Sequence, residues 1–124
     1  MTLQAALVAL VLFQVKHLVA DFMLQGPRMT ADKGYYGRAG GLWHAAVHVA
    51  GTMPILLWLG PAPGTLAAIL AAEFVVHYHI DWIKAAHARQ RDVSPEDRVF
   101  WIMLGADQML HQLTYIGILW WIAM

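Results

Sequence analysis

The sequence predicts an all-α fold: an integral membrane antiparallel four-helix bundle, with residues 1–124 forming a single transmembrane domain. Three observations carry this. Apolar residues make up 60% of the chain and charged residues 13%, against about 45–50% and about 25% in soluble domains. Four stretches reach or approach the roughly 20 apolar residues that a spanning helix needs. The segments between them are short, and short connections join antiparallel neighbours.

The first span is expected over 2–24. No basic region precedes its apolar run and no small-residue cleavage site follows, so it reads as a retained span rather than a signal peptide. "GPRMTADKGYYGRAG" (26–40) is polar and glycine-rich, a loop in water or at the headgroups that serves as a connector or a lid. The second span runs over 41–59. It stops at "GPAPG" (60–64), a tight uncharged turn, and the third span follows over 65–86. "HARQRDVSPEDR" (87–98) is charged, and Ser94 ahead of Pro95 reads as an N-cap with a proline-led first turn. The fourth span runs over 98–122.

All eight Lys and Arg residues fall around the first and third connections. By the positive-inside rule those connections are cytoplasmic and both termini are outside. Tyr35, Tyr36, Trp43, Trp82 and Trp101 suit the cytoplasmic interface, and Trp58, Trp120 and Trp121 the outer one. Lys16 and Lys84 are expected to snorkel to the interface or to meet an anionic substrate. The absence of cysteine removes thiolate ligands, and a formal net charge of zero gives no electrostatic ground for nucleic acid.

The polar residues inside the spans form a pattern. His17 and Asp21 lie in the first, His44 and His48 in the second, His77 and Asp81 in the third, Asp107 and His111 in the fourth. Each pair is spaced i, i+4, which puts both side chains on one helix face about 6 Å apart. In an up-down bundle all four pairs fall in the same, cytoplasmic, half. Five imidazoles and three carboxylates then converge in one layer, enough for two divalent metal ions. Nitrogen and oxygen ligands without sulfur suit Zn, Mn or Fe. A buried aspartate costs about 2.5–3.5 kcal/mol on insertion scales, and structural zinc returns on the order of 10 kcal/mol. The bland alternative is that each pair is a buried hydrogen bond gluing helices together.

One turn deeper lie Gln14, Thr52, Glu73 and Tyr115. Glu73 is the candidate catalytic residue, a buried general acid or base, or else the acceptor for the free N–H of a ligand histidine. Gln25, Lys84, Gln108 and Tyr115 are candidates for contact with the ligands or with substrate. His79 points away from the His77–Asp81 face and His87 lies in the water-side extension, so neither is expected to ligate.

The motifs His17-x3-Asp21-Phe22-x-Leu24-Gln25, His44-x3-His48, His77-x2-Ile80-Asp81 and Asp107-Gln108-x2-His111 resemble a family of small bacterial and phage membrane proteins catalogued as a domain of unknown function. The resemblance covers nearly the whole chain, and it implies four spans and no assigned reaction. A more distant likeness, to inner-membrane proteins labelled metal-dependent hydrolases, rests on similar His and Asp pairs and implies hydrolysis.

The resulting expectation is a membrane-embedded dinuclear metalloenzyme that hydrolyses a lipid-linked or amphipathic ester or phosphoester. Its partners are the lipid bilayer and that substrate, with a homo-oligomer left open. The alternatives are a di-iron oxygen-activating oxidase or hydroxylase, a metal or proton transporter, and a structural partner protein that binds no metal. An outer half that is apolar apart from Gln4 and Gln14 speaks against translocation.

Overall fold

The computed structural model describes residues 1–124, and the chain is all-helical with five α-helices and no strands. Helix α1 (Leu3–Leu18) continues into a π-helical turn (Val19–Met23). It is followed by α2 (Pro27–Asp32), α3 (Ala39–Leu59), α4 (Pro63–Gln90) and α5 (Arg98–Ala123).

Local chemistry sets the ends. Thr2 caps α1 by accepting the Ala5 N–H at 3.1 Å. Gly60 ends α3 in the left-handed region (φ +69°), its N–H returning to Leu56 O at 2.9 Å. Pro63 then opens α4, where its missing N–H costs nothing. Helix α3 runs through Pro54 without ending there. The N-cap of α5 is Asp97, not Ser94. The Asp97 carboxylate accepts the backbone N–H and hydroxyl of Ser94 at 2.8 and 3.1 Å, which closes a separate turn, so the helix starts three residues later.

Connection 26–40 differs from the expected open loop. It contains α2, which packs against α3, and it is pinned on both sides. Asp32 Oδ2 accepts the Gly40 N–H at 2.9 Å, and the Gly37 N–H donates to the Tyr78 hydroxyl at 2.6 Å. Tyr35 is sandwiched between the guanidinium groups of Arg38 and Arg89, at 3.8 and 4.2 Å. These contacts fasten the connection to α4, so it is neither idle nor free.

The four long helices pack in a ring, α1 against α3 and α5, and α4 against α3 and α5. Near the 60–64 turn the interior is apolar, built from Ala9, Phe13, Ile55, Leu56, Ile69 and Ile118 with their neighbours. Phe13 and Tyr115 stack there with ring centroids 4.9 Å apart. Beyond that layer the interior turns polar. Large hydrophobic side chains such as Val11, Leu57, Ile83 and Trp120 face outward. Three helical segments, Leu3–Met23, Ala39–Leu59 and Pro63–Gln90, are long and apolar enough to cross a membrane. Helix α5 has the length, at 26 residues, but not the apolarity of the other three, because Asp107, Gln108, His111, Gln112 and Thr114 interrupt it.

Candidate metal centre

Each long helix turns an i, i+4 pair into the polar layer, and the side chains meet through their tips. Asp21, carried by the π-helical turn, places Oδ1 3.1 Å from His44 Nε2 and 3.0 Å from His48 Nε2. Asp81 Oδ2 lies 3.2 Å from His44 Nε2 and 3.4 Å from His77 Nε2, while its Oδ1 lies 3.3 Å from His111 Nε2. The histidines are buried, as is Asp81, and Asp21 is half-buried. Two overlapping sets could hold a metal ion: Asp21, His44, His48 and His77, and His77, Asp81 and His111. His77 belongs to both.

The donor set fits a metal on a specific observation. His44 Nε2 and His77 Nε2 are buried and have no hydrogen-bond partner, although carboxylate oxygens lie within 3.4 Å of each. Nitrogen and oxygen are close without pointing at one another. Tetrahedral coordination at the usual zinc–nitrogen and zinc–oxygen lengths puts ligand atoms about 3.3 Å apart, close to the separations found here. Were the cluster merely hydrogen-bonded, each orphaned nitrogen would cost about 1–3 kcal/mol.

His17 and Asp107 sit beside the two sets rather than in them. His17 Nε2 donates to Gln108 Oε1 at 3.1 Å and lies 3.1 Å from Asp21 Oδ2, and its Nδ1 meets the Tyr115 hydroxyl at 2.9 Å. In that arrangement His17 orients Asp21. Asp107 Oδ2 accepts from Lys84 Nζ at 2.7 Å and from Gln108 Nε2 at 3.2 Å, and its buried Oδ1 lies 3.5 Å from His111 Nε2. Glu73 makes no direct hydrogen bond to a ligand histidine. Its Oε1 accepts from Lys16 Nζ at 2.9 Å and from the Thr52 hydroxyl at 2.8 Å, and Lys16 Nζ in turn lies 3.5 Å from His48 Nδ1. Gln25 Oε1 is buried without a partner. His79 bonds Val75 O and the Tyr36 hydroxyl, and His87 is exposed.

The lysines correct the sequence reading. Lys16 and Lys84 do not snorkel; both turn inward onto carboxylates. Gly51 makes the room for Lys16, since a Cβ there would lie 2.6 Å from Lys16 Cγ. Lys33, read as part of a solvated connection, is also buried, with Nζ 2.9 Å from Asp81 Oδ2. The signal that could have found these residues was the charge balance. Three buried carboxylates, Glu73, Asp81 and Asp107, and the half-buried Asp21 require cations within reach.

A family model described as "Protein of unknown function (DUF3307)" matches residues 9–124. Neither the curated proteins nor the solved structures contain a match. The match covers nearly the whole chain, and the chain belongs to that family.

Proposed function

We propose that this member of the DUF3307 family is a membrane-embedded metalloenzyme, a four-span antiparallel bundle of the bacterial inner membrane that hydrolyses a lipid-linked or amphipathic ester or phosphoester. The observation that carries the reading is the Asp21, His44, His48 and His77 set, in which the histidines are buried and three imidazole nitrogens are left without hydrogen-bond partners. The outward-facing apolar side chains of all four long helices support lipid as their surroundings. Helix α5 joins as the fourth span because Asp107 and His111 face inward, where the other three helices cover them. The basic residues of both long connections support a cytoplasmic side for the metal layer.

Eight ligands suggested two divalent ions, Zn, Mn or Fe. The four-residue set offers one ion four ligand atoms, and a second ion would have to draw on Asp81 and His111. A bound divalent ion supplies a Lewis acid and lowers the pKa of a coordinated water toward neutrality. The protein's own residues do the rest. His17 orients Asp21, and Tyr115 and Gln108 hold His17. A cleft of about 340 Å³ between α4 and α5, lined by Ile80, Ile83, Met103 and Leu110 and reaching Lys84 and Asp107, offers a lateral way in for an amphiphile. Lys84, partly exposed at its mouth, is placed to meet an anionic headgroup.

The di-iron oxidase reading uses the same ligands and differs in metal: iron with an oxo-bridge absorption band would favour it. Transport has less support, because the layer from Phe13 to Ile118 is apolar and packed. The test is elemental analysis of detergent-purified protein, followed by hydrolysis assays on phospholipid and nitrophenyl phosphoester probes. We expect stoichiometric divalent metal and an activity lost on chelation and in His44→Ala. Activity that survives chelation, or metal uptake by proteoliposomes, would overturn the proposal.

A further inference from the structure

We infer that Lys33 is a built-in cation occupying the second metal position, so that the centre binds one divalent ion, at Asp21, His44, His48 and His77. The inference rests on the metal-centre reading above and decides its stoichiometry.

Geometry is the first argument. Lys33 Nζ lies 2.9 Å from Asp81 Oδ2, the oxygen that also approaches His44 Nε2 and His77 Nε2 at 3.2 and 3.4 Å. The ammonium therefore sits on the carboxylate that a second ion would need. With the single Nε2 of His77 committed to the four-residue set, the second position keeps His111, Asp81 and the neighbouring Asp107. Both of those carboxylates are already held by ammonium groups, Asp81 by Lys33 and Asp107 by Lys84 at 2.7 Å.

The position of Lys33 is built, not incidental. Gly40 has no room for a side chain, since a Cβ there would lie 2.7 Å from both Arg28 O and Asp32 Oδ2. At Gly34 a Cβ would lie 3.3 Å from Ala85 O. Glycine at these places lets the connection close down on α3 and α4. Asp32 and Gly37 pin it there, and Lys33, next to Asp32, is driven into the interior with its side chain 8% exposed.

Charge is the second argument. Asp21, Glu73, Asp81 and Asp107 face Lys16, Lys33 and Lys84, which leaves one net negative charge with the histidines neutral. One divalent ion changes this to a single positive charge. Two would leave three positive charges, and two even if Lys33 swung out to water. In a low-dielectric interior uncompensated charge is costly, so the single-ion state is favoured.

The test counts metal in the full-length protein purified in mild detergent and loaded with Mn²⁺, by elemental analysis and by electron paramagnetic resonance. Wild type is expected to bind one equivalent with an uncoupled six-line spectrum, and Lys33→Arg to do the same. Lys33→Met and the milder Lys33→Gln are expected to take up a second equivalent with an exchange-broadened spectrum. Lys33→Met combined with Asp81→Asn should return to one. Two equivalents in wild type, or one in both neutral variants, would overturn the role of Lys33 while leaving the metal centre standing. No bound metal in wild type would instead overturn the metal-centre reading itself.

Discussion

The Lys16–Glu73 pair lies deep in the molecule, with side chains 7% and 1% exposed. A pair this deep contributes little net stability but is costly to break, because the survivor is left as an uncompensated charge. Glu73→Gln should therefore destabilise the protein by about 3–5 kcal/mol. Adding Lys16→Met should recover most of that loss, because apolar replacement of a whole buried pair is often neutral. Denaturant unfolding of the two single variants and the double variant in detergent checks this, and additive losses would show that the two side chains do not act as a pair. Metal content should survive Glu73→Gln, since Glu73 reaches His48 only through Lys16. The pairing of the histidines and aspartates was legible in the sequence because i, i+4 spacing is a local signal that any helix turns into a shared face. Which lysine meets which carboxylate was not. Lys33 and Asp81 are brought together by the fold of the 26–40 connection, and nothing in the residues flanking either one encodes it. Nor does spacing show that His17 also meets Tyr115 and Gln108, because those contacts come from another helix.

At the scale of elements, hydropathy located the four long helices closely, since each is a sustained apolar run with a proline, glycine or charged stop. The second of them, expected over 41–59, is Ala39–Leu59, and the fourth, expected over 98–122, is Arg98–Ala123. Helix α2 escaped because six residues are too few to establish a periodicity. Its importance lies in close packing against α3, and glycine substitutions separate close packing from mere flexibility. Gly40→Ala puts a methyl group 2.7 Å from backbone and from a pinned carboxylate, so the connection must move. The expected cost is about 1–3 kcal/mol, the usual range for overpacking, with faster proteolysis between residues 26 and 40. Gly117→Ala, also within a long helix, meets nothing within 4 Å. It should be neutral or stabilise by about 0.5–1 kcal/mol, the helix-propensity gain. Equal effects at the two positions, read by thermal unfolding and limited trypsin digestion, would mean that the connection is not packed as described. The π-helical turn that carries Asp21 belongs to the same scale, since a wider turn resets the direction of the side chain it carries.

For the molecule as a whole, only 25 of 124 residues are buried by the chain itself, and Val11, Leu57, Ile83, Ile102 and Trp120 are among the large apolar side chains facing out. A soluble chain of this size would have to hide most of that surface to fold. A bilayer accepts it, and the interior is then free to be polar, the inverse of a soluble domain. In that setting the ring of four helices shields Asp21, Asp81 and Asp107 from lipid, and α5 can be the least apolar span because its polar face is the one turned inward. The proposed four-span topology predicts the side on which each connection lies, and the absence of cysteine makes this directly testable with single-cysteine variants at exposed sites. Ala31→Cys and Glu96→Cys should react with a membrane-impermeant maleimide in inside-out vesicles but not in intact cells. Gly64→Cys and Ala123→Cys should show the opposite pattern. Position 123 is decisive for α5. If Ala123→Cys labels on the same side as Glu96→Cys, the fifth helix does not cross, and Asp107 and His111 would approach the other ligands from a helix lying at the surface. If it labels with Gly64→Cys, α3, α4 and α5 each cross, and Asp107 and His111 reach the other polar side chains from a full span.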